Sequence, residues 1–491
     1  MFDQSVGPLP GLHRPDAKLQ PRLHARFLLA VLFLFSFSVS VLHAMPISSG
    51  GDGGGGTGGT GTGGTGVGSS TPVTQPATTP GPAYSWEGSV GDVKTGNGDK
   101  LTSIPIVSWV QEGGLPIELT FNHNSQSSRN GELGPKWTCN YDISEKPDAS
   151  GNVTVYWGDG RVYTFMKSST SGATTYFSAP AGIHDTLIDV VGTAGDAYTL
   201  TTHDNVSYRF NAYTGYAPPG NGTQGLSASG PTDENGNFTS VLRNSQVGYI
   251  TTAQDYSTGR TITIGYDASN RMNSVTDPLG RKWTLSYDTN GNLAHIYWPV
   301  INGATPSINL GYDANHNITS YQDLRGNTST FAYNVTNNSI AWEQDNLGNQ
   351  TTFQYGVDAN GNANALDTTI VDPNGHKIVH TYNTAGQLAS VTDALGYTEY
   401  YSYDGANNVT QKEDRRGYYW NSTYDSMGNE LTAKDPYGNT TTMTYNSGNK
   451  PLTVTQPSGR SVVNTYDAND NLTQVQQKDV RCPLFYVPLA K

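Results

Sequence analysis

The feature that most limits how this chain can fold is a period. Tyr382, Tyr403, Tyr424, Tyr445 and Tyr466 stand 21 residues apart, and each is followed by Asp or Asn. Between them lie Asp393-Ala-Leu-Gly396, Asp414-Arg-Arg-Gly417, Asp435-Pro-Tyr-Gly438 and Gln456-Pro-Ser-Gly459. A fixed period of this length marks one supersecondary unit stacked on copies of itself, because a single unit cannot bury its apolar face alone.

Extended backwards, the period takes in Tyr266, Tyr287, Tyr312, Tyr333 and Tyr355, which makes ten units. A Gly stands seven residues before every one of these tyrosines except Tyr312. The distance from a Tyr to the next such Gly is mostly 14 residues but reaches 20 from Tyr355 to Gly375. One half of the unit is therefore fixed and the other accepts insertions.

The fixed half reads as a strand. Trp283, Leu285 and Tyr287 share one face while Lys282, Thr284 and Ser286 share the other, the period of two that a strand requires. Tyr418, Trp420, Ser422 and Tyr424 repeat the pattern. A turn follows each Tyr, as in Asp288-Thr-Asn-Gly-Asn292. There Asp bonds the backbone two residues on, and Asn or Gly accepts a left-handed conformation. An apolar residue then opens a return strand, six residues after the Tyr at Met272, Leu293, Ile318, Leu388, Val409 and Leu472, and seven after at Ile340, Leu431 and Leu452. An Asp-Pro-x-Gly turn, with Pro presetting φ, closes the unit. Ten units predict about twenty strands in one antiparallel sheet, since an isolated hairpin is marginal in water. Strands twist by about 20–25° relative to one another, so the sheet is expected to coil into a spiral or partial shell with the tyrosines along one face. The fold class is all-β.

Composition sets further bounds. Only 14% of residues are charged, the formal net charge is −13, and no basic patch is present to meet a phosphate backbone. Nucleic acid is thereby excluded as a partner. Cys139 and Cys482 are the two cysteines; their separation forms no metal or redox motif, and nothing in the sequence supports a bridge between them.

Residues 84–248 read as a β-rich entry domain. Val153–Trp157 and Arg161–Phe165 flank Gly-Asp-Gly and predict a hairpin,. Tyr198–Thr202 and Val206–Phe210 predict another, and Gly215–Gly236, rich in Gly, Pro and Asn, is expected to be a long surface loop. Residues 249–475 then form the array, and 476–491 are a tail that matches no repeat position.

Phe27–Leu42 is an apolar run preceded by Arg22 and Arg26. Sixteen residues at about 1.5 Å each fall short of a roughly 30 Å hydrocarbon core. With the small Ala44 behind it, the run reads as an export signal over 1–44 with a long basic-flanked lead. The chain is thus expected to be secreted or held at the cell surface, and to touch a membrane only through this segment if it is left uncleaved. Residues 45–83, nearly all Gly, Thr, Ser and Pro, are expected to be a flexible linker,.

The motif Tyr-Asp-x-x-Gly-Asn-Leu with Asp-Pro-Leu-Gly-Arg resembles the YD repeats of bacterial Rhs proteins, shared with teneurins and with the B and C components of Tc toxin complexes. Val93-Lys-Thr-Gly-Asn97, Gly113-Gly-Leu-Pro-Ile-Glu-Leu119 and Leu133-Gly-Pro-Lys-Trp137 are similar to the domain that often precedes them. The resemblance covers roughly 93–475 and implies a surface or secreted β shell that, in toxin members, encloses a C-terminal effector. Those members close with a Pro-x-x-x-x-Asp-Pro-x-Gly-Leu self-cleavage motif. Here the Asp-Pro-x-Gly turns run into Arg281, His376 and Asn439 instead. No cleaving carboxylate and no toxin can be carried over, which leaves either a truncated or frameshifted member or a short tethered relative.

Every candidate site has a simpler structural reading. His376 and His380 have the spacing of two zinc ligands on a helix, but they fall in a strand segment, and His376 takes the place of Tyr397 in the next unit. The turns at Asp288 and Asp358 open like calcium loops yet lack the closing Glu. No carboxylate pair or nucleophile elbow stands out. The repeated Tyr is first a cross-strand packing residue. The chain is expected to be no enzyme, with no catalytic, metal or cofactor residues. It is read as an interaction scaffold, its partner an enclosed polypeptide effector or, in the alternative, cell-surface glycans bound through Trp283, Trp420 and the tyrosines.

Overall fold

The structure is a computed structural model that describes residues 86–109, 115–191, 197–211, 226–244, 248–479 and 482–488. The export run Phe27–Leu42, the linker 45–83 and the first part of the expected loop, 215–225, lie outside them. Among the described residues there are strands and no helices. Thr239–Arg243 begins a 23-stranded sheet in which each strand pairs with its sequence neighbour through to Cys482–Pro488. The pairing is antiparallel throughout, as in the hairpin of Lys282–Tyr287 with Leu293–Tyr297. The sheet packs against the chain's own entry segment and shares one core with it.

Before the sheet come four smaller pieces, one of them the two-residue strands Asn130–Gly131 and Gly134–Pro135 paired with each other. Ser89–Val90 and Val93–Lys94 form a short hairpin. Leu101–Trp109, Ile117–Asn124 and Trp137–Cys139 form a three-stranded sheet. A closed barrel of eight strands runs from Ser144–Pro147 to Leu226–Thr232. Both hairpins expected in the entry region lie in that barrel, as Val153–Tyr156 with Val162–Ser171 and Ala197–Thr201 with Ser207–Asn211. The surface loop expected over Gly215–Gly236 is corrected in its second half. Leu226–Thr232 is the strand that closes the barrel against Ser144–Pro147, with Ala228 only 3% exposed. Gly230 (φ 118°) lies so close to the Thr239 carbonyl that a Cβ would not fit, which explains a glycine inside a strand.

The repeat rests on two devices. The first is one turn used at both edges of the sheet. In Asp288–Asn292 the Asp carboxylate accepts the N–H groups of Asn290 (2.8 Å) and Asn292 (2.9 Å), and its second oxygen takes the Asn292 amide (2.8 Å). Asp277 receives Leu279 N–H (3.0 Å), Arg281 N–H (2.8 Å) and the Arg281 guanidinium (2.7 Å) in the same places. The Asp-Pro-x-Gly and Tyr-Asp-x-x-Gly turns, separate in the sequence reading, are thus one geometry. Proline is dispensable, since Asp323 and Asp345 build it with Leu324 and Asn346 in that place.

The second device is the tyrosine. In nine of the ten units the Tyr ends its fixed strand opposite a bulge in the return strand, as where Ser286 pairs with His295 but Tyr287 with Leu293. The same shift recurs at Tyr266, Tyr312, Tyr333, Tyr382, Tyr403, Tyr424, Tyr445 and Tyr466; in the tenth the strand runs on to Val357 and the shift falls after Tyr355. Bulges leave backbone groups unpaired and add twist. The hydroxyl of the next Tyr donates to the carbonyl of the residue that opens the preceding return strand. Tyr287 reaches Met272 (2.6 Å), Tyr312 reaches Leu293 (2.6 Å), Tyr355 reaches Ile340 (2.9 Å) and Tyr403 reaches Leu388 (2.7 Å). Tyr266, Tyr424, Tyr445 and Tyr466 repeat the bond. Eight of the ten register tyrosines, all but Tyr333 and Tyr382, bolt their unit to the one before it, and the tyrosine marks register in a literal sense.

Candidate functional site

The inner face of the array is the place to look for a site, and much of it is already occupied. Ile104, Leu119, Phe121 and Trp137 of the entry sheet share one core with Ile264, Val275, Trp283, Leu285, Ile296 and Leu310. Trp283, offered as a glycan platform, is 5% exposed and belongs to this core, because strand alternation turns it inward beside Leu285 and Tyr287. Trp420 is half-buried.

The entry segment docks by backbone bonds at equivalent repeat positions. Met272, Ile340 and Leu388 each open a return strand. Their N–H groups donate to the carbonyls of Glu132 (2.8 Å), Gly98 (2.9 Å) and Trp86 (2.8 Å). The carbonyls of the same three residues take Tyr287, Tyr355 and Tyr403. What the bulge leaves unpaired is thus divided between the next unit and the entry segment. Tyr382 departs from its siblings: its hydroxyl bonds Thr95 Oγ1 (2.6 Å), which also meets His380 Nδ1 (2.7 Å).

Polar groups along this seam have shifted protonation for identifiable reasons. Burial lowers His123 to about 3, leaving a neutral ring whose Nε2–H donates to the His316 carbonyl (2.9 Å). Burial lowers Lys136 to about 8 despite Asp313 and Asp99; its ammonium donates to Ser125 O and Asn317 Oδ1, both at 2.6 Å. Burial and the Asp142 charge raise Glu132 to about 7, although Tyr266 and Ile250 N–H donate to its carboxylate. Burial opposes the charge on Lys100, yet Asp92 (2.8 Å) and Glu343 (3.0 Å) hold its affinity for the proton above the ordinary value. Each group joins the entry segment to the array.

The two histidines spaced as zinc ligands do different jobs. His376 closes a turn, its Nδ1 2.9 Å from Asp372 Oδ2, while His380 is buried against Thr95 and lowered to about 4 by that burial. The carboxylate of Asp358, like that of Asp288, faces the N–H groups and Asn side chain of its own turn. Cys139 is a buried free thiol. Sequence reasoning missed Thr95 and Gly98, which sit in irregular chain and carry no periodicity to mark them.

Beyond the entry sheet, the barrel covers the turns of the later units. His203 Nε2 lies 3.2 Å from Asn429 Oδ1, Asn205 donates to the Gly448 carbonyl (2.6 Å), and the Asn235 and Asn471 amides bond each other. The opposite rim, made of the Asp-x-x-Gly turns, is open. Its tips carry Leu279, Leu347, Leu395 and Tyr437, between 68% and 83% exposed.

Residues 351–477 match the family model described as the teneurin YD-shell, 266–298 the RHS repeat, and 92–165 a domain of unknown function (DUF6531). No curated protein matches the chain. Among solved structures, it is similar to TcdB2-TccC3-TEV (12% identity, TM-score 0.39), covering 77% of this chain and 23% of that one. It is similar to a Tc holotoxin pore from Photorhabdus luminescens (12% identity, TM-score 0.34, 77% and 24% covered). A third is the N-terminal domain of effector protein SpvB from Salmonella typhimurium strain LT2 (14% identity, TM-score 0.24, 61% and 99% covered). The chain spans about a quarter of the length of the Tc structures. With the locked tyrosines, the paired Asp turns and the matching family models together, the chain carries a YD-repeat array of the RHS and teneurin-shell kind.

Proposed function

We propose that the chain is a non-catalytic, exported scaffold, the shell portion of a toxin-related delivery or contact-dependent competition protein whose partner is an enclosed polypeptide effector. The observation that carries this reading is where the repeated polar groups point. The tyrosine hydroxyls bond backbone carbonyls and the Asp carboxylates bond turn N–H groups, so the repeated chemistry holds the wall together. Export is tested with an epitope tag placed after Lys491 in a bacterial host. The tag is expected in the medium, or on intact cells where added proteinase K removes it. A tag that stays wholly inside the cell and survives the protease contradicts the proposal.

A second reading is a carbohydrate-binding surface protein. Trp283 cannot serve it, but a set of exposed tyrosines between 397 and 437 favours it.

A further inference from the structure

Seven tyrosines among the described residues are exposed, and five of them, Tyr397, Tyr400, Tyr418, Tyr419 and Tyr437, fall in one short stretch of the array. None of the five stands at a register position. Two of them displace part of the turn device. In the rim turns elsewhere, the residue four after the Asp reaches back to its second oxygen: Arg281, Asn327, Asn349, His376 and Asn439 all do so. At Tyr397 and Tyr418 the backbone bonds remain, at 3.0 Å each, but that side-chain bond is gone. Asp393 and Asp414 are met instead by Arg415 (3.2 Å) and Arg416 (2.9 Å). Two consecutive units thus give up a self-satisfied turn, replace its missing partner from a neighbouring position, and set an aromatic ring on the rim. Departures from a local rule that are compensated nearby mark functional positions.

The third unit adds Tyr437 at the tip of its turn, 83% exposed. Successive rim turns are two strands apart, about 9.5–10 Å, so the three rings form a row. The Arg416 guanidinium lies 5.0 Å from the Tyr418 ring centroid and steadies it,. Beside the third turn an open depression of about 440 Å³ is lined by Asn439, Thr441 and Gln456, by the charged Lys434 and Asp435, and by the apolar Ala433 and Pro457. Arg415 and Arg416 are both paired with carboxylates, and Lys434 shares the depression with Asp435, so the row and its polar end present no net surplus of charge to an anionic polymer. Ring faces for C–H surfaces, next to amides and hydroxyls for hydrogen bonding, suit a neutral sugar chain.

We propose that this rim is a binding site for a neutral polysaccharide, with Tyr397, Tyr418 and Tyr437 as the stacking row and Asn439, Thr441 and Gln456 as its polar end. The site rests on the carbohydrate-binding reading and is independent of the shell reading. It is tested by native electrophoresis of the full chain through gels containing dextran, galactomannan or hydroxyethylcellulose. At least one polymer is expected to retard the chain. Tyr397→Ala, Tyr418→Ala and Tyr437→Ala together should weaken retardation by tenfold or more, at about three- to tenfold per ring. Tyr256→Ala, at a rim tip outside the row, should behave as the unaltered chain. Tyr418→Phe, which keeps the ring and the fold, should retain most of the retardation, while Tyr418→Ala alone loses its share. Equal retardation of the triple variant overturns this site while leaving the carbohydrate-binding reading standing. Absence of retardation by all three polymers overturns both.

Discussion

Removing a single oxygen tests the tyrosine lock. Tyr403 is half-buried, and its hydroxyl donates to the carbonyl of Leu388 at 2.7 Å, a residue only 2% exposed. Tyr403→Phe keeps the ring and its apolar burial, and leaves a buried carbonyl without its acceptor bond. That omission costs about 1–3 kcal/mol, whereas Tyr403→Ala would add a cavity and raise the loss to about 3–5 kcal/mol. The comparison is Tyr400→Phe, where the side chain is 51% exposed and off register; it is expected to change stability by less than about 0.5 kcal/mol. Urea and thermal unfolding, followed by tyrosine and tryptophan fluorescence, read the difference. Because repeats unfold in units, amide exchange in Leu388–Thr392 and Thr398–Tyr403 gives the local value. Equal effects of Tyr403→Phe and Tyr400→Phe would refute the lock and return the tyrosine to the role of a space-filling aromatic.

Other outcomes follow from the same geometry. Gly98 has φ 72°, and a Cβ there would run into Ser339 and Tyr355, so Gly98→Ala should lose about 1–2 kcal/mol from backbone strain alone and loosen the seam first, read as faster exchange of the Ile340 amide,. Glu132 is raised from 4.5 to about 7, so its stabilising protonated form is fully present below about pH 4.5 and is lost as pH rises through 7; the loss approaches about 3 kcal/mol, and Glu132→Gln should flatten melting temperature against pH from 5 to 8. Asp288→Ala removes three accepted hydrogen bonds and should cost about 2–4 kcal/mol in urea unfolding, while Asp288→Asn, the residue naturally used at Asn383 and Asn446, should cost under about 1 kcal/mol,.

Much of the array was legible because its physics is local. A strict Gly-to-Tyr spacing fixes strand length, alternation puts Trp283 and Leu285 on one face, and Asp with Asn or Gly fixes the turn. Proline misled, since Pro278 made one turn look different in kind from the one after Tyr266, whereas the carboxylate does the work in both. The barrel's hairpins were readable, but its closure was not: Leu226–Thr232 pairs with Ser144–Pro147 across some eighty residues of chain, and Gly230 and Pro231 disguise a strand as a loop. The seam was invisible for a related reason. Thr95 meets Tyr382 and Gly98 meets Ile340 across more than two hundred positions, and a lone Thr or Gly in irregular chain advertises nothing. The rim tyrosines could have been noticed as departures, because Tyr397 and Tyr418 occupy a turn position where neighbouring units place Asn, Arg or His.

The central claim is that the bulges beside the register tyrosines expose backbone groups, which at Met272, Ile340 and Leu388 the next tyrosine and the entry segment share. Hydrogen exchange at the amides of Met272, Ile340 and Leu388 measures this directly, since their partners are Glu132, Gly98 and Trp86 rather than a neighbouring strand. The account predicts that all three are protected like the strand interiors around them, and that Gly98→Ala speeds Ile340 while leaving Met272 slow. Exchange of all three in the unaltered chain as fast as at the rim-turn amides that no turn carboxylate accepts, such as those of Leu324 and Ala394, would contradict it.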